Sequence, residues 1–79
     1  MTATFPAGGV RFTIAALPGL VFVQYPASVI PPDRTMAFVQ GSRGQRAAIF
    51  RDGRWFTMRG HLIKNQPERY TVFEGREHV

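Results

Sequence analysis

The first regular pattern along the chain is an alternation of apolar and polar side chains over residues 10–16. Such alternation is typical of a half-buried β-strand, whose successive side chains point to opposite faces of a sheet. The pair Pro18-Gly19 follows and predicts a type II turn, because proline fixes φ and glycine accepts a positive φ. Residues 20–25 are apolar on both faces, which predicts a second strand buried inside a sheet or against a partner. Together these segments predict a first hairpin.

The middle of the chain is divided by proline and glycine. Residues 26–34 contain three prolines and predict an extended connector, since a residue before proline avoids the helical region. Residues 35–40 fit either a third strand or a single helical turn ended by Gly41, and we favour the strand. The Gly-rich residues 41–44 then predict a loop.

The clearest local signal is the pair Asp52-Gly53, which favours a two-residue hairpin turn of type I′. It lies between two segments with strand-like composition, residues 45–51 and 54–59. A second loop containing Gly60, Asn65 and Pro67 follows this hairpin. Residues 69–74 alternate again and predict the last strand.

No segment of ten or more residues shows helical periodicity with caps, so no substantial helix is expected. Residues 1–79 therefore predict one all-β domain with five or six short strands, either a small antiparallel meander or an SH3-like or OB-like barrel. Residues 1–9 and 75–79 are expected to fray.

A type I′ turn fixes which residues of the central hairpin face each other. Phe50 lies opposite Trp55, and Ile49 lies opposite Phe56. One face then carries an apolar set that would suit a core: Ala47, Ile49, Phe56 and Met58. The other face carries two aromatic rings and two arginines around small residues: Arg46, Phe50, Trp55, Arg59, Ala48 and Thr57. An alternative type I turn with Gly53 in a bulge would pair Phe50 with Arg54 and rearrange both faces.

The second face admits two interpretations. Exposed rings flanked by arginines form a surface on which bases can stack, and the same residue types dominate protein-binding hot spots. Alternatively, Phe50 and Trp55 fill the core, and the arginines only solvate its rim.

Positive charge is concentrated in the same region. The net charge is +5, and nine of the ten basic residues are arginine. Six arginines fall between residues 34 and 59, namely Arg34, Arg43, Arg46, Arg51, Arg54 and Arg59. Arginine binds phosphate or carboxylate through a planar fork and stacks on rings. The competing explanation is that a GC-rich genome encodes its surface cations as arginine.

The residues needed for catalysis are scarce. A hydrolase or transferase requires a nucleophile, a base and an orienting group, whereas the chain offers two serines, several threonines and only His61 and His78. The histidines and acids lack metal-ligand spacing, so we expect no catalytic residue, metal or cofactor. Gly41-Ser42-Arg43-Gly44 matches the G-x-x-G of a KH nucleic-acid loop only literally, because its flanks predict strands rather than helices.

The sequence thus predicts a non-enzymatic basic binding protein. We expect it to contact nucleic acid through Arg43, Arg46, Phe50, Arg51, Arg54, Trp55 and Arg59. The alternative is a phage- or plasmid-type accessory or inhibitor protein that uses this surface on an acidic or nucleic-acid-binding host protein. A third possibility is an enzyme or ligand-binding oligomer whose site forms only between subunits.

Length and cysteine content complete the expectations. With 79 residues the chain is short for a stable monomer, so dimerisation would add needed buried surface. The absence of cysteine, of a signal-peptide pattern and of an apolar run near 20 residues favours a cytoplasmic protein without membrane association.

Overall fold

The computed structural model describes residues 7–77, which form six antiparallel strands and no helix. The strands are β1 (Val10–Ile14), β2 (Leu17–Pro26), β3 (Met36–Gly41), β4 (Gly44–Arg51), β5 (Arg54–Thr57) and β6 (Arg69–Arg76). They form one sheet in the order β1-β2-β6-β3-β4-β5. The all-β class is therefore confirmed, and the antiparallel sheet is consistent with the expected small meander, with β6 inserted between β2 and β3. No pairing joins β1 to β5 within residues 7–77, so the sheet is open rather than closed into a barrel.

The last strand holds the two halves of the sheet together. β1 and β2 form a hairpin, β3, β4 and β5 form a meander, and β6 lies between β2 and β3. Two long connectors, residues 27–35 and 58–68, carry the chain between these parts. They are tied to each other and to β3, because Ala27 N–H donates to the Glu68 carbonyl over 2.9 Å and Glu68 N–H donates to the Gln40 carbonyl over 3.0 Å.

The first hairpin exists, but its turn is not at Pro18-Gly19. The chain turns at residues 15–16, and Ile14 lies opposite Leu17. The next pair is Thr13 with Val21, so residues 18–20 bulge out of the ladder with β1. Proline and a glycine at φ 82° suit a bulge as well as a turn, which explains why composition alone misplaced the reversal.

The central hairpin has the predicted register. Asp52 and Gly53 have φ values of 52° and 78°, as a type I′ turn requires, and Phe50 lies opposite Trp55. However, β5 ends at Thr57, because the chain turns there and Gly60 N–H donates to the Thr57 carbonyl over 2.8 Å. Continued beyond Thr57, the type I′ register would pair Ala47 with Met58 and Arg46 with Arg59, and these pairs are consequently not formed.

Of residues 35–40, all but Thr35 belong to β3, which confirms a strand rather than a helical turn, and residues 42–43 form the turn into β4. At the C-terminal end, Gly75 and Arg76 belong to β6 and pair with β2, so the expected fraying was wrong for these two residues. The expected frayed ends also include residues 1–6 and 78–79, which lie outside the described residues. Residues 7–9 and 77 are described and belong to no strand.

One face of the sheet, the inner face, carries the core. Its buried side chains are Val23, Tyr25, Ala37, Val39, Ala48, Phe50, Trp55, Tyr70 and Val72. Tyr70 is central: it is 1% exposed, and its ring centroid lies 5.2 Å from those of both Tyr25 and Trp55. The two connectors cover this face with Val29 and Ile63. The Tyr70 hydroxyl donates to the Val29 carbonyl over 2.7 Å and fixes the first connector over the core.

Candidate binding surfaces

Phe50 and Trp55 lie inside the molecule. They are 6% and 5% exposed, and their rings meet edge to face with centroids 5.2 Å apart. The prediction that they form an exposed stacking face is therefore wrong, and the core interpretation holds. The physical reason lies outside the hairpin, because β3 and β6 extend this face with apolar residues and the connectors cover it.

Three members of the set expected to form the core, Ala47, Ile49 and Phe56, lie on the opposite face, the outer face, and Met58 lies in the turn after β5. Ala47 and Met58 are exposed, while Ile49 and Phe56 are half-buried.

Ile49 and Phe56 lie in line with four more apolar side chains of the outer face, one from each remaining strand. Phe12, Phe22 and Phe73 are paired across β1, β2 and β6, and Met36, Ile49 and Phe56 are paired across β3, β4 and β5. Met36 and Phe73 each lie two residues beyond the last pair of β3 with β6, Phe38 with Thr71, on the same face. These six residues form the outer row.

The middle of the outer face is open to solvent. Phe73 is 57% exposed, Met36 is 65% exposed, and Phe38, which lies beside the row on β3, is 55% exposed. Phe22 is buried because the rings of Phe12 and Phe73 lie on either side of it, with centroid distances of 5.8 and 5.7 Å. Exposed apolar surfaces are common at interaction sites, so this face is a candidate binding surface.

Arginines border the apolar part of the outer face. The Arg51 guanidinium carbon lies 4.6 Å from the centroid of the Phe56 ring, a cation–π contact. Arg54 lies directly opposite Arg51, and Arg69 reaches the same face at the other end of the sheet, opposite Gln40. The outer face thus combines exposed phenylalanine with arginine.

Within residues 7–77 the arginines of the outer face form no ion pair, although Asp52 lies in the turn between Arg51 and Arg54 and donates its N–H to the Asp33 carboxylate over 3.2 Å. Glu74 is the single acid within the six strands, and it forms an ion pair with Arg11 over 2.9 Å. Within residues 7–77, this is the single salt bridge. The outer-face arginines are therefore available to an anionic ligand.

A second basic surface lies at the end of the sheet where β3 turns into β4. A cleft of about 660 Å³, the basic groove, runs between this turn and the connector 58–68. Its basic lining residues are Arg43, Arg46 and Lys64, His61 lies beside them, and Glu68 is its acidic lining residue. Arg46 and Thr57, expected to flank the two rings, instead line this groove at the uncovered end of the inner face.

The connector 58–68 is positioned by the side chain of Gln66. Its amide oxygen accepts a hydrogen bond from Trp55 N–H over 2.8 Å, and its amide nitrogen donates to the carbonyls of Trp55 and Ile63 over 3.3 and 2.5 Å. Ile63 N–H also donates to the Trp55 carbonyl, and Thr57 N–H donates to the His61 carbonyl. The connector thereby occupies the outward backbone groups of edge strand β5 and forms one wall of the groove.

The seven residues predicted to bind do not form one site. Arg43 and Arg46 line the groove, Arg51 and Arg54 border the outer face, and Arg59 lies in the exposed turn after β5. Sequence reasoning missed the exposed rings of the outer face, notably Phe38 and Phe73. The alternation of side chains along β3 and β6 places each of these rings on the same face as the residue two positions away. The central hairpin alone, however, does not reveal which face of the sheet the connectors cover.

Other chemistry is sparse in the described part of the chain. Residues 7–77 contain no group of three His, Cys, Asp or Glu side chains able to hold a metal ion. Burial, and secondly the neighbouring Tyr25 phenol, raises the pKa of Tyr70 from 10.0 to about 12, which suits a structural role rather than acid–base chemistry near neutral pH. The same residues include no helix long and apolar enough to cross a bilayer. Comparison with family models, curated proteins and solved structures finds no match for this chain.

Proposed function

We propose that the protein binds single-stranded nucleic acid through its outer face. Bases stack on Phe38 and Phe73, and phosphates bind Arg51, Arg54 and Arg69. The observation that carries this proposal is the combination of phenylalanine rings more than half exposed with arginines that have no carboxylate partner within residues 7–77. Proteins that bind single strands without strong sequence preference use this combination of stacking surface and cationic border.

The spacing of the two exposed rings fits adjacent bases. Phe38 lies opposite Thr71, which precedes Phe73 by two residues on β6. Phe38 and Phe73 are therefore diagonal neighbours on one face, about 7–8 Å apart in an antiparallel sheet. A flexible single strand can place one base on each ring, whereas a duplex keeps its bases stacked inside.

The direct test is fluorescence anisotropy with labelled single-stranded DNA and RNA of about 12 nucleotides, within the usual site size of such proteins. Each stacked base contributes about 1–3 kcal/mol, so Phe38→Ala or Phe73→Ala should weaken binding roughly 5- to 150-fold. Ile30→Ala is the matched control, because Ile30 is equally exposed but lies in the first connector. Unchanged affinity in the Phe38→Ala/Phe73→Ala double variant would contradict the proposal.

Salt dependence tests the cationic border separately. Each neutralised phosphate of a single strand adds about −0.7 to the slope of log K against log salt. Arg51→Gln and Arg69→Gln should each reduce that slope by about one such increment, while Arg59→Gln should leave it unchanged. Equal slopes for all three variants would show that these two arginines do not contact phosphate.

A second candidate function rests on the size of the apolar row. Phenylalanine and arginine side by side also suit a protein partner, and an accessory or inhibitor protein of phage or plasmid type would use the outer face to dock on an acidic or nucleic-acid-binding host protein. This candidate predicts no oligonucleotide binding, together with a nuclease-resistant host complex that the Phe38→Ala/Phe73→Ala variant loses. The lack of cysteine supports a cytoplasmic setting for either function.

A further inference from the structure

The two edge strands of the sheet, β1 and β5, differ in whether another segment of the chain covers their outward backbone groups. Strand β5 is covered by the connector 58–68 through Gln66, Ile63 and His61. Within residues 7–77, strand β1 forms backbone hydrogen bonds with β2 alone. Its other side therefore presents the unpaired N–H and C=O groups of an edge strand.

Strand β1 also lacks the features that normally prevent edge-to-edge association. It contains no proline or lysine, its inner-face charge, Arg11, is neutralised by Glu74 on β6, and the bulge in this ladder, residues 18–20, lies on β2 rather than on β1. Val10 is 67% exposed and Ile14 is 40% exposed, so the edge is apolar on the outer face. An uncovered apolar edge of this kind is a template on which another strand can pair.

We infer that the occupant of this edge is a second copy of the chain, paired antiparallel through β1 about a two-fold axis at Phe12. In this register Val10 faces the partner's Ile14, and Phe12 faces the partner's Phe12, all on the outer face. On the inner side Arg11 faces the partner's Thr13. The strand is self-complementary, as a two-fold interface requires.

Neighbouring registers are less favourable. Centring the axis on Arg11 would place two arginines directly opposite each other, which destabilises a strand pair. A slip of one residue would set outer-face side chains against inner-face ones. The register centred on Phe12 is the one that pairs all five residues of β1.

The dimer would join the two outer rows end to end at Phe12, because Phe12 is the last member of the row at this edge. It would also add buried surface to a domain of a size at which monomers are marginal. The inference does not depend on nucleic-acid binding, and it is tested without nucleic acid.

The experiment is sedimentation velocity on the full chain over a concentration series up to about 1 mM, a range that detects even a weak dimer. The wild type should shift from monomer to dimer. Val10→Lys/Ile14→Lys places two lysine pairs across the interface and should weaken the dimer at least tenfold. Val10→Lys/Ile14→Glu places each new lysine opposite a new glutamate of the partner and should retain the dimer.

The control is Ile30→Lys/Met58→Lys, which adds the same charge at equally exposed apolar positions away from β1 and should dimerise like the wild type. Fluorescence of Trp55 establishes that each variant is folded. The inference is overturned if the wild type stays monomeric throughout the series. It is equally overturned if the lysine/lysine and lysine/glutamate variants of β1 dimerise with the same affinity.

Discussion

Removal of the Gln66 amide tests how the connector 58–68 is held. In Gln66→Ala, Trp55 N–H loses its acceptor, and the Ile63 carbonyl loses its donor. The Trp55 carbonyl keeps its bond from Ile63 N–H over 3.1 Å. An unsatisfied, partly buried backbone group costs about 1–3 kcal/mol, so we expect a loss near 2 kcal/mol, a large share of the stability of a small domain.

Urea unfolding followed by Trp55 fluorescence measures this loss. Trp55 is the single tryptophan, so the signal reports the core directly. With a slope of about 1 kcal/mol per M for so small a protein, the midpoint should fall by roughly 2 M. Asn65→Ala is the matched control: it removes an exposed amide from the adjacent position and should change stability by less than about 0.5 kcal/mol. Equal stability of the two variants would refute the role assigned to Gln66.

Two further predictions concern the core. The pKa of Tyr70 is about 12 in the folded chain, against an ordinary value of 10.0. The stabilisation that this shift gives the folded state is therefore complete below pH 10 and falls by about 1.4 kcal/mol per pH unit as the pH rises from 10 to 12. Urea unfolding of Tyr70→Phe should lack this decline. Gly9→Ala would place a Cβ 2.4 Å from Val23 Cγ1 and should cost about 1–3 kcal/mol, whereas Gly41→Ala meets no atom within 4 Å and should cost nothing; equal melting temperatures would contradict this packing.

Local turn chemistry was the most informative part of the sequence. Asp52-Gly53 has a φ requirement that few residue pairs meet, so both the turn and the register of β4 with β5 were predictable. Pro18-Gly19 carries a weaker signal, because the same pair also fits a bulge. Periodicity identified the strands, but it did not show where pairing ends, since the end of β5 is set by hydrogen bonds with the connector.

The choice of buried face was beyond the sequence. Both faces of the central hairpin are apolar enough to form a core, and the ring pair Phe50 and Trp55 looked no more buried than Ile49 and Phe56. The buried face is determined by β6, which places Tyr70 beside Trp55, and by the connectors that cover this side of the sheet. These are contacts between distant parts of the chain. For the same reason the proposed site lies on the other face, and its exposed rings are Phe38 and Phe73 instead of the predicted Phe50 and Trp55.

Binding of single-stranded nucleic acid to the outer face of the sheet is tested most directly by NMR. Isotopically labelled protein is titrated with single-stranded oligonucleotide, and chemical-shift changes are followed residue by residue. We expect the largest changes at the rings and amides of Phe38, Phe73 and Phe56 and at the Arg51 side chain, with Trp55 and Tyr70 unaffected. Changes confined to the basic groove around Arg43 and Lys64, or no saturable change anywhere, would contradict this expectation.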